Sequence, residues 1–348
     1  MASERLQLDI STSSILRTIL IVLLFVFLYA LKEVIIIFLF ALVLASAISP
    51  FANWLDEKKF PRILGVLLLY LTVLGLAVFV SSLIVPYISD DISRLTTALP
   101  EFVQKVVGSL EHVQNSSPQY FDFLNEIENI LEGFSSYLQQ ASQSIVGLIV
   151  SIFGGVFSFF AILVISFYLS VTRKGIETFL GSVVPEQYES YVTGLWKRVE
   201  KKVGKWFQGQ LLLGLIVGLM VYIGLSLLNI KFALILSLLM MVLELVPMVG
   251  PVLGAIPAAF LAFLQSPSLG LWVIVLYVVV QQIENHLLVP LILGKTLNLN
   301  PVVVIIALLV GQTLAGIPGM ILAVPVATII VEMLDDVARQ KESRRSSS

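Results

Sequence analysis

The chain has 348 residues, 58% of them apolar and only 13% charged, with a formal net charge of −2 and no cysteine. Soluble domains carry about a quarter charged residues, so the composition weighs against a water-soluble globule, a disordered chain or a nucleic-acid binder, and it excludes disulfides, thiolate catalysis and cysteine-held metals. Two histidines, His112 and His286, leave little for histidine chemistry, and the class that remains is an all-α polytopic membrane protein.

A helix crossing the bilayer core needs about 20 apolar residues. Ser14–Leu31 ends at Lys32-Glu33 and runs straight into Val34–Leu55. That predicts a helical hairpin rather than a cleaved leader, which needs a small-residue cleavage site after a short apolar core. Ile63–Ser89 follows, so residues 1–86 read as a three-span region. Residues 87–144 hold Arg94 and Lys105 against eight acids and are expected to face outward. Leu95, Leu99, Phe102, Val106, Leu110 and Val113 fall at helical spacing, as do Leu124, Ile127, Leu131, Phe134 and Leu138; their apolar faces suit a membrane surface, a neighbouring subunit or the protein's own spans.

Ile145–Thr172 is the fourth span. Residues 173–205, with Lys197, Arg198, Lys201, Lys202 and Lys205 near their end, read as a cytoplasmic basic connector that meets anionic lipid rather than nucleic acid. Lys58, Lys59 and Arg62, and Arg339, Lys341, Arg344 and Arg345 in the tail 335–348, belong on the same side by the positive-inside rule. Both termini are then cytoplasmic.

Residues 206–334 form the expected transport core. Trp206–Leu228 is a span carrying Gly214 and Gly218, a spacing that permits close helix approach. Two further apolar segments are interrupted. Segment 233–265 is broken at Val246-Pro247-Met248-Val249-Gly250-Pro251, and segment 301–334 at Ala315-Gly316-Ile317-Pro318-Gly319. Each arm of about 14 residues reaches about 21 Å at 1.5 Å per residue, short of the roughly 30 Å core. Unpaired backbone groups survive in a membrane only inside protein or beside water. Paired Gly/Pro-interrupted segments are therefore the sequence pointer to a transporter's central site. Two topologies fit: eight crossings with long broken spans, or six crossings with two oppositely directed re-entrant hairpins and a span at 268–293 between them. The short arms favour the hairpins.

Ionisable residues inside spans are functional candidates by default. Glu244 lies three residues before Pro247. Glu284 lies in Gln281-Gln282-Ile283-Glu284-Asn285-His286, where Gln281, Glu284 and Asn285 share a helical face. The candidate path for a solute or ion is thus Glu244, Pro247, Gly250, Pro251, Gln281, Glu284, Asn285, Gly316 and Gly319, with Gln210 and Gln312 as weaker members. The structural alternatives are a buried hydrogen bond for Glu244 and a cap or a Lys295 ion pair for Glu284. Gly294-Lys295-Thr296 lacks the leading glycine of a phosphate loop, since Val289 stands there. No catalytic, metal or cofactor motif is present, and no enzymatic activity is expected.

With these motifs placed, the sequence resembles the autoinducer-2 exporter family, the PerM-like permeases, over roughly residues 15–335. The resemblance rests on an ordered set: Ser49-Pro50, Trp54-Leu55 and Phe60-Pro61-Arg62; Val184-Pro185 and Gly209-Gln210; Val246 to Pro251; Gln281, Glu284 and Asn285; Leu288-Val289-Pro290, Gly294 and Pro301; and Gly316, Gly319 and Pro325. The chain departs from the family's common pattern at Gln208 and Met248. The resemblance implies a multi-pass inner-membrane transporter that is homo-oligomeric and handles a small polar signalling molecule, autoinducer-2. Some family members resemble sodium/proton antiporters.

Three functions fit these features. The first is a secondary transporter or exporter of a small polar solute. The second is a monovalent cation/proton antiporter, using sodium ions and protons. The third is a non-transporting scaffold that binds a partner through residues 87–144.

Overall fold

The computed structural model describes residues 12–76, 78, 79, 82, 155–172, 175–294 and 299–346, and among these it contains no strand. The expected amphipathic pair in 87–144, and Lys295, lie outside the described residues. In chain order the helices are α1 (Thr12–Ala30), α2 (Lys32–Glu57), α3 (Arg62–Leu76), α4 (Val156–Val171), α5 (Gly175–Val183), α6 (Glu186–Leu227), α7 (Ala233–Leu243), α8 (Val249–Gln265), α9 (Pro267–Ile283), α10 (Val289–Ile292) and α11 (Pro301–Ser346). Glu284–Leu288, between α9 and α10, is a π-helical turn.

Among the described residues four helical stretches are long and apolar enough to cross a bilayer: Lys32–Glu57, Glu186–Leu227, Pro267–Ile292 and Pro301–Arg339. Val156–Val171 and Ile176–Val183, whose axes differ by 86°, pass the same test when taken together, as one broken span or a re-entrant loop. Large apolar side chains such as Phe157 and Leu227 are exposed along these helices, as lipid-facing residues are. Lipid tails are as apolar as leucine, so burial alone gives no drive for helix association; close packing must supply it.

Small residues permit that packing. On α2, Ala41, Ala45, Ser46 and Ala52 are buried, and a Cβ at Gly204 of α6 would overlap the Ser46 carbonyl oxygen. Helix α3 is fastened to α4 by polar bonds: Tyr70 Oη donates to Ser166 Oγ at 2.7 Å, and Arg62 Nε donates to the Ser170 carbonyl at 2.9 Å. The second core lies among α6 to α9. There Leu213, Val217, Val221 and Leu225, at the four-residue spacing of one helix face, meet Ile235, Leu236, Met240, Ala258, Ala262, Val273 and Val280. The Gly214/Gly218 face packs as expected: a Cβ at Gly214 would lie 2.8 Å from the Met241 carbonyl oxygen, and one at Gly218 3.2 Å from that of Ser237.

Both interrupted segments double back. In the first, a Cβ at Gly250 would overlap the Leu243 carbonyl oxygen, and one at Gly254 would lie 2.6 Å from Met240 Sδ, so α7 and α8 run side by side. In the second, α11 leaves helical geometry only at Ala315 (φ −147°, ψ 15°) and Gly316 (φ 60°, ψ −138°). The backbones of Gly311 and Gly319 then abut. In an unbroken helix those residues would stand about 12 Å apart along the axis. The interruptions are shorter than the Gly/Pro clusters suggest. Pro251 already lies in the first turn of α8, and Pro318 soon after the turn at Gly316, where a missing N–H matters least. Segment α9 starts cleanly, with Ser266 Oγ accepting from Leu269 N–H at 3.2 Å and Pro267 at the first helical position.

At the basic end of the molecule, α6 and α11 are clasped by charge. Arg198 Nε meets Glu332 at 3.2 Å; Arg198 also pairs with Asp336, and Lys202 with Glu332. The cations are partly exposed, so solvent weakens the network. Glu332→Gln is expected to cost about 1 kcal/mol and to lower the thermal midpoint of the purified protein by a few degrees at low salt, with the difference shrinking in high salt as screening sets in. An unchanged midpoint at low salt would contradict this.

Candidate functional site

The sequence places Glu244 beside the first interruption because a helix cannot continue through Pro247. The structure ends α7 at Leu243 and turns the chain through Glu244–Met248. Met248 sits at φ 66°, ψ −39° with the Val249 N–H donating to the Pro247 carbonyl at 2.8 Å. This is a three-residue turn with positive φ, rare and strained for a residue with a side chain. Met248 is half exposed, so its side chain contributes little burial. Met248→Gly is expected to raise thermal stability, or at worst leave it level, by up to about 1 kcal/mol of relieved strain; a clear drop in the unfolding midpoint would show that the thioether is needed.

Glu284 reaches the same place from α9. It starts the π-turn, in which the Val289 N–H bonds to the Glu284 carbonyl five residues back. Pro290 explains the widened register, because it has no N–H to give to His286. Such turns recur at functional positions. The π-turn has no signature in apolar periodicity, and Pro290 was the one residue that signalled it.

The two carboxyl groups, 40 positions apart in sequence, meet. Glu244 is 1% exposed and Glu284 5%, and their carboxyl groups lie within hydrogen-bonding reach of each other. A bond between two carboxyl groups requires a proton on one of them. Around the pair, Gln281 Nε2 donates to Glu284 Oε2 at 3.3 Å and to Asn285 Oδ1 at 3.2 Å, so the three residues share a face as their spacing predicts. Gln210 of α6 donates its side-chain amide to the Glu244 carbonyl, sealing the end of α7. No N–H or hydroxyl donor among the described residues reaches Glu244 Oε2, and the buried Tyr277 hydroxyl has no hydrogen-bond partner among them either. A buried carboxyl oxygen left unpaired is costly, and it is the kind of atom that a proton, a small cation or a solute hydroxyl satisfies. His286 points elsewhere: its Nδ1 bonds to the Gln282 carbonyl and its side chain is exposed.

Of the expected path residues, Glu244, Gln281, Glu284, Asn285 and Gln210 are brought together, with Pro247, Gly250 and Pro251 forming the adjoining turn. Gly316 and Gly319 form the other turn, and Gln312 is exposed without a hydrogen bond to either glutamate. The two interrupted segments do share a packing cluster: Val246 and Val249 of the first lie with Leu308, Met320, Ile321, Leu322 and Ala323 of the second. No group of three or more histidine, aspartate or glutamate side chains suited to a metal occurs among the described residues.

A family model described as "AI-2E family transporter" matches residues 18–339. Similar proteins of known designation include "Putative transport protein YueF" of Bacillus subtilis (strain 168), 32% identical over 300 residues, covering 84% of this chain and 81% of that one. YrrI, of the same designation and organism, is 28% identical over 314 residues, covering 89% and 88%. The "AI-2 transport protein TqsA" of Escherichia coli (strain K12) is 24% identical over 310 residues, covering 88% and 87%.

Proposed function

Because this chain belongs to the AI-2E transporter family, we propose that it is a secondary transporter that moves a small polar solute across the cell membrane, with the Glu244–Glu284 pair as its proton-handling or cation-handling centre. The observation that carries the reading is the buried carboxyl pair itself, set against a turn between two short helical arms. Apolar surroundings make a second charge on so close a pair prohibitive. The pair therefore holds a proton, a small cation or a hydroxyl of the cargo, and exchanges one for another as the hairpins open.

In this reading the two doubled-back segments are re-entrant hairpins. The first dips from the face opposite the basic segments and the second from the basic, cytoplasmic face. Both hairpins are lined with glycine, as discontinuous helices at transporter centres are. Six crossings result, with both termini cytoplasmic. The assembly is a homo-oligomer in which lipid and neighbouring copies cover the exposed apolar faces. The solute is autoinducer-2-like, by analogy with the designation of TqsA.

A second reading, monovalent cation/proton exchange, is favoured by how completely the pair is enclosed, which suits an occupant no larger than a sodium ion. Proteoliposomes separate the two. Proton movement driven by a sodium gradient without organic solute supports exchange, whereas uptake of labelled autoinducer-2 that responds to a pH gradient supports solute transport. If neither occurs with the reconstituted full chain, the transport reading of this site fails.

A further inference from the structure

We propose that the outer face of α6 binds an anionic phospholipid headgroup through Lys201 and Lys205, where that helix leaves the bilayer. Along the sequence Lys197, Arg198, Lys201, Lys202 and Lys205 are one basic run. The fold divides them between two faces. Arg198 and Lys202, four residues apart, turn to α11 and are engaged by Glu332 and Asp336. Lys197, Lys201 and Lys205 recur at the same spacing on the neighbouring face, and all three are exposed. Lys197 pairs with Glu177 at 3.4 Å, whereas Lys201 and Lys205 have no ion pair among the described residues.

What this face meets follows from its continuation. Leu212, Leu215 and Leu219 extend it along α6 and are about half exposed, as lipid-contacting side chains are. The apolar part of α6, residues 206–227, is about 33 Å long at 1.5 Å per residue, which matches the roughly 30 Å hydrocarbon core. Lys205 therefore stands at the edge of the hydrocarbon, and Lys201 about 6 Å farther out. The headgroup layer on each side is about 5–8 Å thick, so both residues fall within it. Lys197, about 12 Å out, lies beyond it.

The surroundings select the charge of the occupant. Residues 201–243 contain no aspartate or glutamate, and Glu200, the nearest acid along α6, lies beside Ser49 of α2. Two ammonium groups one helical turn apart are close enough to meet one phosphate together, and an anionic leaflet attracts basic segments at this depth. A zwitterionic headgroup offers no net charge to them. Inorganic phosphate has the same charge as the lipid's phosphate, but only a lipid also lays acyl chains on the leucines of the same face.

The test titrates the detergent-purified full chain at low salt with dioctanoyl phosphatidylglycerol and follows the thermal unfolding midpoint. Dioctanoyl phosphatidylcholine and inorganic phosphate are the comparisons. Phosphatidylglycerol should raise the midpoint saturably, as a ligand of the folded state does, and the other two should not. Lys201→Gln and Lys205→Gln should each weaken the apparent affinity about fivefold, the worth of one lysine at an anionic surface, and the double variant about 25-fold. Lys202→Gln, on the clasped face, should melt lower without lipid yet keep the parent's affinity. The proposal is overturned if phosphatidylglycerol fails to stabilise the chain, or if phosphatidylcholine or inorganic phosphate stabilises it equally. It is also overturned if the double variant keeps the parent's affinity, or if Lys202→Gln loses as much as the double variant. Binding rather than flux is read, so a failure here is distinct from a failure of the transport reading.

Discussion

Glu244→Gln and Glu284→Gln are each expected to lower coupled flux in proteoliposomes about a hundredfold, equivalent to about 2.7 kcal/mol on the transport barrier, while leaving the protein folded. Glutamine keeps the shape of the side chain, and its amide can still donate to the partner carboxyl, so the bond that holds α7 against α9 is retained. It cannot release a proton or carry charge. A purely structural role for the pair predicts the opposite pattern, with nearly normal flux in both glutamine variants. Gln281→Ala separates the roles further: it removes the donor to Glu284 and Asn285 without removing either carboxyl, and should shift the pH dependence of flux rather than abolish it. If both glutamine variants transport like the parent, the pair is not the coupling centre.

Gly250→Ala and Gly319→Ala should be the most damaging glycine-to-alanine substitutions among the described residues. At each position the added Cβ would overlap a backbone carbonyl oxygen on the opposing arm, Leu243 for Gly250 and Gly311 for Gly319. A carbonyl in a helix cannot swing aside as a side chain can, so the arms must part. Overpacking of this kind costs about 1–3 kcal/mol. In thermal unfolding of the purified protein both variants should melt well below the parent. Gly75→Ala is the control, because a Cβ there meets nothing within 4 Å and alanine suits a helix better than glycine. Equal midpoints for Gly250→Ala and Gly75→Ala would mean that the first hairpin is not closely packed.

The interruptions were legible in the sequence because proline and glycine act locally. Pro247 and Gly316 mark their turns within a few residues. The clustering of Gln281, Glu284 and Asn285 follows from helical spacing alone. Other features depend on contacts that no local rule reaches. The meeting of Glu244 with Glu284 requires α7 and α9 to be folded against α6 and α8. The clasp of Arg198 and Lys202 on Glu332 joins positions more than 100 residues apart. Basic residues near a span read first as topology signals, and their structural partners stay hidden until α11 is placed. Gln210 was the weaker-rated path residue that the fold raised in importance, while Gln312 was left on the surface by the turn at Ala315-Gly316.

The central claim is that the two hairpin turns flank a water-reached path rather than lipid, and cysteine accessibility tests it most directly. The chain has no native cysteine, so Met248→Cys and Ile317→Cys each introduce a single thiol at a turn whose parent side chain is exposed. A charged, membrane-impermeant thiol reagent should modify both, each at a rate that changes when the pH or the sodium concentration is altered. If both positions resist that reagent yet react with a membrane-soluble maleimide, the turns lie in lipid and the account is wrong.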